Sequence, residues 1–380
     1  MIKKVKIFSR KHNPAFQQVK EILRCFKEIT FETDFAEAYK DEIDDRLLTN
    51  GGLRHFFMQE SFDVLLENRA DIVLHSAKDL PYPLNDQLEI IALTDTLVSK
   101  NNGKPGERPF ETHPLRGNLV VVAKRDNEPL KKLFRKIDIR KNFGRVHLAG
   151  FGPGDPELMT LKTNKVLSEA DIIFYDDLLD SSCLKKYSGE EVYVGKRKGK
   201  HSKDQDEINR MLYEAALKGL KVVRLKGGDA MIFGRGGEEI SYLRQRFIDV
   251  EVIPGVTSAI AAAAESLIPL THRGVASSVA FCTGHPENKI RIPDADTLVY
   301  YMGASSLKII AEKLMRNGLS DDTPTAVIRN ASLPSQQVLT TTLKKIVTDN
   351  IVAQSPSLII VGDTIKVNNC VELADKVTNN

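Results

Sequence analysis

At 380 residues the chain is too long for one ordinary hydrophobic core, so two domains is the expectation. With 42% apolar and 28% charged residues it is not of disordered composition, and no stretch approaches the roughly 20 apolar residues of a spanning helix, so no membrane partner is expected. A net charge of +3 gives no case for a nucleic-acid partner. The basic start runs into no apolar stretch, so the expected location is cytoplasmic.

Cys25, Cys183, Cys282 and Cys370 lie far apart, in neither a zinc-ligand spacing nor a dense disulfide framework, so no metal is expected. Cys25 falls on an amphipathic stretch and reads as a core residue.

In chain order, Val5 to Phe8 reads as a strand, followed by a helix from about Pro14. Met58, Phe62, Leu65 and Leu66 have helical spacing and precede a short strand, Asp71 to Leu74. Leu88 to Leu93 and Asn118 to Ala123 read as further strands, separated by a Gly-, Pro- and Asn-rich loop from Asn101 to Gly117. A charged helix, Glu128 to Ile137, ends near Lys141-Asn142-Phe143-Gly144, where the domain boundary is placed: residues 1–141 and 145–380. Beyond it, strands are expected at Val146 to Ala149, Asp171 to Tyr175, Lys221 to Leu225, Val250 to Ile253, Ser277 to Cys282, Thr297 to Tyr301, Thr325 to Ile328 and Ser357 to Val361. Helices such as Asp204 to Leu217 and Ser305 to Asn317 fill most gaps. The alternation means an α/β layer structure, whose ligands sit outside the carboxyl ends of the strands.

The post-strand loops carry the signal. Gly150-Phe151-Gly152-Pro153-Gly154-Asp155 lets a backbone turn tightly and approach a ligand, but it lacks the next glycine of a dinucleotide fingerprint and any P-loop lysine. A plain structural turn is the competing reading. Lys226-Gly227-Gly228-Asp229 and Ile232-Phe233-Gly234-Arg235-Gly236-Gly237-Glu238-Glu239 again join glycines to carboxylates, favouring a ligand with hydroxyls or a positive centre over a polyphosphate. S-adenosylmethionine has both. Pro254-Gly255-Val256-Thr257-Ser258 opens an alanine-rich helix, which packing alone also explains.

The ordered set GFGPGDPELMTLK, YDDLL, VGKRKGKHS, RLKGGDAMIFGRGGEE, PGVTSAIAAAA, IPLTHRG, TGH, YYMG and SPSLIIVGD resembles the uroporphyrinogen-III C-methyltransferases, within the tetrapyrrole methylases, over Arg145 to Val367. The resemblance implies two α/β subdomains with the active site in the cleft between them, and a homodimer formed through this domain. It implies methylation of uroporphyrinogen III at C2 and C7 to give precorrin-2 and S-adenosylhomocysteine. Carried over, the cofactor contacts are Pro153, Gly227, Gly228, Asp229, Ile232, Thr257, Ser258, Met302 and Ala331. The family usually has glycine where Ala331 stands, and proline and phenylalanine where Ala230 and Met231 stand.

The implied acid–base pair is Asp176 and Lys196. A pyrrole carbon attacking a methyl sulfonium gains positive character, which a carboxylate can stabilise. The alternative is that Asp176 caps a helix and Lys196 pairs a substrate carboxylate. For a substrate with eight carboxylates, Arg197, Arg235, His272 and Arg273 are the implied anion clamps, Arg235 first among them. His285 reads equally as an acid–base or metal residue and as a packed loop histidine.

NGGLRHFFMQESFDVLLENRADIVLHSAKDLPYPL, SRKHNPAFQQ and GNLVVVAKRDNEPLKKLF resemble domain 1 of the hydroxymethylbilane synthases (porphobilinogen deaminases). The family's catalytic aspartate falls on Asp79, beside Lys78, with Arg10 near the start. The family's second domain is replaced by the loop from Lys100 to Gly117 and its cysteine-bearing third domain has no counterpart, so this domain is expected to be non-catalytic. The competing functions are a methylase of a later precorrin and a non-catalytic tetrapyrrole-binding scaffold.

Overall fold

A computed structural model describes residues 2–10, 19–20, 22–36, 52–77, 80, 84–95, 118–176, 181–195 and 204–367. The chain divides into two compact units, residues 1–143 with 245–248, and residues 144–244 with 249–380.

The amino-terminal unit contains β1 (Lys4–Arg10), β2 (Thr30–Ala36), α1 (Gly52–Leu66), β3 (Ile72–Ser76), β4 (Leu88–Asp95), β5 (Asn118–Lys124) and α2 (Glu128–Phe134). Its sheet runs β2-β1-β3-β5-β4, with β1 parallel to β2 and β3, and with β5 antiparallel to β3 and β4. The apolar run of β5 is explained by burial on both faces. Leu119, Val121 and Ala123 pack with Val5, Ile7 and Phe134, while Val120 and Val122 pack with Phe8, Phe62 and Leu65. Asn127 caps α2, its side chain accepting from the Leu130 amide.

Cys25 corrects an expectation. It is exposed at the end of a short helical stretch, whose Val19, Ile22 and the following Phe26 face the core instead. The loop from Asn101 to Gly117, the stretch from Pro14, and Lys78 and Asp79 lie outside the described residues, as does the Arg10 side chain.

The carboxyl-terminal unit holds two sheets. The first contains β6 (Val146–Gly152), β7 (Ile172–Tyr175), β8 (Glu190–Tyr193), β9 (Val222–Gly227) and β10 (Val250–Ile253), all parallel, in the order β10-β6-β9-β7-β8. With it go α3 (Leu161–Ser168), α4 (Gln205–Leu217) and α5 (Gly236–Arg244). The second is mixed: β11 (Val279–Thr283), β12 (Thr297–Tyr301), β13 (Pro324–Arg329), β14 (Gln337–Thr342) and β15 (Ser357–Val361), in the order β11-β12-β15-β13-β14. The helices α6 (Ser258–Glu265), α7 (Leu307–Arg316) and α8 (Leu343–Thr348) accompany it. Alanines 259, 262 and 263 of α6 let it lie close on Val299, Ala326, Ile328 and Ile360 of this sheet.

In the parallel sheet, the chain leaves β6 in one direction, over β9 to β7 and β8, and leaves β9 in the other, over β6 to β10. Adjacent strands whose connections diverge define a switch point, and the crevice there is where α/β sheets bind ligands. It lies between the loops that follow β6 and β9.

Candidate active site

Those two loops are pinned to each other. Gly152 N–H donates to Gly228 O (3.2 Å) and Gly228 N–H donates to Gly152 O (2.7 Å). The β10 loop joins them so closely that a Cβ on Gly150 would sit 2.6 Å from Gly228 O, and one on Gly255 2.3 Å from the same oxygen. Asp229 ties this floor together, accepting from Met231 N–H (2.7 Å) and from Gly255 N–H (2.9 Å). Gly228 itself has φ +66°, and a Cβ there would meet nothing nearer than the Ser258 nitrogen and Thr257 Cα at 3.8 Å. The space beside Gly228 is therefore open toward the start of α6.

Residues from the second sheet close the other side. Asp155 N–H donates to Ser332 Oγ (3.2 Å), and the Gly154 backbone meets the Leu333 side chain. Thr257 Oγ1 and the Tyr301 hydroxyl are 2.7 Å apart, and the Phe233 ring leans on Tyr301 at 4.9 Å between centroids. Ile232 and Ala331 pack against the cluster that contains Tyr301. Left-handed backbone is concentrated on these loops, at Phe233, Arg235, Met302, Asn330 and Ser332, as it is where geometry serves a ligand. Met302 and Phe233 are 51% and 42% exposed, although both are apolar residues on loops otherwise packed tightly.

Thus Pro153, Gly227, Gly228, Asp229, Ile232, Thr257, Ser258, Met302 and Ala331 fall on loops that converge in one unit. Asp229 is a partial exception, because both of its oxygens already serve the loops. The donor set suits S-adenosylmethionine: hydroxyls at Thr257, Ser258 and Ser332, one carboxylate, and apolar atoms at Met302, Phe233 and Leu333. It would suit a polyphosphate badly, since the nearby cations of β9 are buried and paired.

Those cations form a network that sequence reasoning missed. Arg224 and Lys226 alternate on β9, and Glu239 on α5 lies between them, all buried. Glu239 Oε1 accepts from Lys226 Nζ (3.0 Å), Arg224 Nε (3.3 Å) and Gln205 Nε2 (3.1 Å). Arg224 also donates to Leu225 O (2.9 Å), Phe174 O (3.4 Å) and Asp176 Oδ2 (3.1 Å). Burial lowers the Lys226 pKa, helped by Arg224 and opposed by Glu239. The available signal was two cations with period two in a central, otherwise apolar strand, which only a buried carboxylate could accommodate.

Asp176, just after β7, is thus placed by Arg224 and is half-buried. Lys196 and Arg197 lie outside the described residues. Arg235 is exposed, and its guanidinium is held in a fork by Glu238 (2.9 and 2.7 Å). This pair raises the Arg235 pKa and lowers that of Glu238. His272 and Arg273 are exposed on a tight turn in which His272 N–H and Ala276 O, and Ala276 N–H and His272 O, bond at 2.9 Å. His285 is exposed, before a cis bond to Pro286. No group of metal-binding side chains occurs among the described residues, and none of their helices is long and apolar enough to cross a membrane.

An all-parallel sheet with a glycine-lined switch point, faced by a mixed sheet, defines an α/β enzyme fold with a ligand cleft. The chain belongs to the tetrapyrrole (corrin/porphyrin) methylases, whose family model matches residues 145–347. Residues 5–146 match the dipyrromethane cofactor binding domain of porphobilinogen deaminase. The chain is 46% identical over 238 residues to the uroporphyrinogen-III C-methyltransferase of Methanocaldococcus jannaschii, covering 59% of this chain and 98% of that one. It is 46% identical over 236 residues to the chloroplastic S-adenosyl-L-methionine-dependent uroporphyrinogen III methyltransferase of Arabidopsis thaliana, covering 59% of this chain but only 64% of that protein. The solved uroporphyrin-III C-methyl transferase of Thermus thermophilus, complexed with S-adenosyl homocysteine, is 42% identical with a TM-score of 0.53, covering 59% of this chain and all of that one.

Proposed function

We propose that the carboxyl-terminal unit methylates uroporphyrinogen III at C2 and C7, forming precorrin-2 for sirohaem or corrinoid biosynthesis. The observation that carries this reading is the convergence of the glycine loops after β6, β9 and β10 with the second sheet's Tyr301 and Ser332, which meet Thr257 and Asp155. S-adenosylmethionine supplies the methyl group from its sulfonium and leaves as S-adenosylhomocysteine.

The protein's own work is positioning and charge stabilisation. Gly227, Gly228, Pro153 and Ala331 contribute backbone surface; Thr257, Ser258 and Asp229 contribute polar contacts; Ile232 and Met302 contribute apolar ones. Asp176 faces the ring carbon under attack, stabilising its positive character and accepting its proton, and Lys196 returns a proton during tautomerisation. Arg197, Arg235, His272 and Arg273 receive the substrate's carboxylates, which requires Arg235 to exchange Glu238 for the substrate. The enzyme acts in the cytoplasm as a homodimer through this unit, for which the exposed Ile260, Leu267 and Val279 supply apolar surface.

The amino-terminal domain, residues 1–141, has no hydroxymethylbilane synthase activity and serves as a binding or stabilising module. The test is mass spectrometry of uroporphyrinogen III incubated with enzyme and S-adenosylmethionine. Two added methyl groups support the reading, and unmodified substrate overturns it. Porphobilinogen incubated with the same protein yields no hydroxymethylbilane; turnover above background overturns the non-catalytic reading.

A further inference from the structure

We infer that Arg224 is a positioning residue for methyl transfer, acting through Asp176 and anchored from behind by Glu239. The inference rests on the reading of Asp176 given above and adds to it the group that aims that carboxylate.

The geometry is that of a clamp rather than a surface ion pair. Asp176 directly follows the last residue of β7. Arg224 lies one strand over, in register with Phe174 two residues before Asp176. Its guanidinium is held on its other edges by Phe174 O, Leu225 O and Glu239 Oε1. An arginine fixed by three acceptors has little freedom left, so the remaining donor, Nη2, points in one direction, toward Asp176 Oδ2 at 3.1 Å.

Glu239 is the counterweight. Its side chain is 1% exposed, and its Oε1 accepts three bonds while Oε2 has no partner among the described residues. A buried carboxylate with one oxygen so crowded is retained where charge balance is needed. Here it balances Arg224 and Lys226 jointly, leaving Arg224 free to share its charge with Asp176. The burial gradient follows: Arg224 and Glu239 side chains are 4% and 1% exposed, Asp176 23%. The network therefore runs from the interior to a single half-exposed carboxylate.

A purely structural arginine would make an independent contribution to rate, whereas a positioning arginine acts only while Asp176 carries its carboxylate. A double-mutant cycle separates the two. Full-length Arg224→Gln, Asp176→Asn and the double variant are compared in kcat and KM for uroporphyrinogen III methylation, with S-adenosylhomocysteine affinity by calorimetry as the control. Arg224→Gln is expected to lower kcat at least about tenfold with little change in KM or in S-adenosylhomocysteine affinity, and to cost less than about twofold more on the Asp176→Asn background. Where Arg224→Gln does not give folded protein, Arg224→Lys, which keeps the charge but not the fork, is read in the same cycle. Equal losses with and without the Asp176 carboxylate overturn the inference while leaving the Asp176 reading intact. Full activity of Asp176→Asn overturns that reading itself, and the inference with it.

Discussion

Thr257 and Tyr301 join the two sheets of the carboxyl-terminal unit: Thr257 Oγ1, on the loop after β10, lies 2.7 Å from the hydroxyl that ends β12. Thr257 is the N-cap of α6, yet its side chain bonds none of that helix's amides. The Thr257 hydroxyl is engaged across the cleft by Tyr301 instead. Burial pushes the Tyr301 hydroxyl's pKa up, outweighing the Thr257 hydrogen bond. Tyr301→Phe would leave the Thr257 hydroxyl without this partner. It is expected to cost about 1–2 kcal/mol in urea unfolding and to weaken S-adenosylhomocysteine binding. An unchanged unfolding midpoint would remove Tyr301 from this role.

The glycines of the floor are not equivalent. Gly255 has an ordinary φ but a Cβ there would strike Gly228 O, which is backbone and cannot give way. Gly228 has a left-handed φ but room for a Cβ. Gly228→Ala therefore costs only the conformational term, about 1–2 kcal/mol, and Gly255→Ala costs more. Thermal unfolding of the two variants should rank them in that order, against the usual rule that the positive-φ glycine is the critical one.

Much of this floor was legible because glycines directly after expected strands mark tight turns and close backbone approach. Strands Val250–Ile253, Thr297–Tyr301 and Ser357–Val361 were legible to the residue, since apolar runs mark buried strands. β8 and β14 were not, because they are sheet edges whose side chains are largely exposed and polar. Arg224, Lys226 and Glu239 escaped for the opposite reason: buried ionic groups contradict the apolar pattern by which core is recognised. The Arg235–Glu238 pair has the i,i+3 spacing that invites an ion pair, and Arg235 makes it from a left-handed backbone just before α5.

That pair makes a kinetic prediction. Glu238 competes with an incoming carboxylate for the Arg235 fork, so Glu238→Gln should lower the KM for uroporphyrinogen III and leave that for S-adenosylmethionine unchanged. Arg235→Ala should raise the substrate KM roughly tenfold and the cofactor KM little. Equal shifts in both constants would place Arg235 outside the anion clamp.

His147, on β6, reports on stability rather than catalysis. Burial lowers its pKa, although Glu251 at 3.1 Å pulls the other way. The unfolded chain thus binds a proton at a higher pH than the folded one does. This group contributes no pH dependence well above its unfolded pKa, and its contribution to stability falls as pH drops below that value toward the lowered folded pKa. His147→Gln should therefore lose less stability between pH 7.5 and pH 5 than the unsubstituted chain, about 25 °C, in urea titrations. A parallel decline in both proteins would contradict the assignment.

The most direct test of the cofactor cleft is calorimetric titration of the full-length, folded protein with S-adenosylhomocysteine. The account predicts saturable binding at one site per chain, weakened by Gly228→Ala. A folded protein that gives no binding heat, and shows no thermal shift with the same ligand, would contradict it.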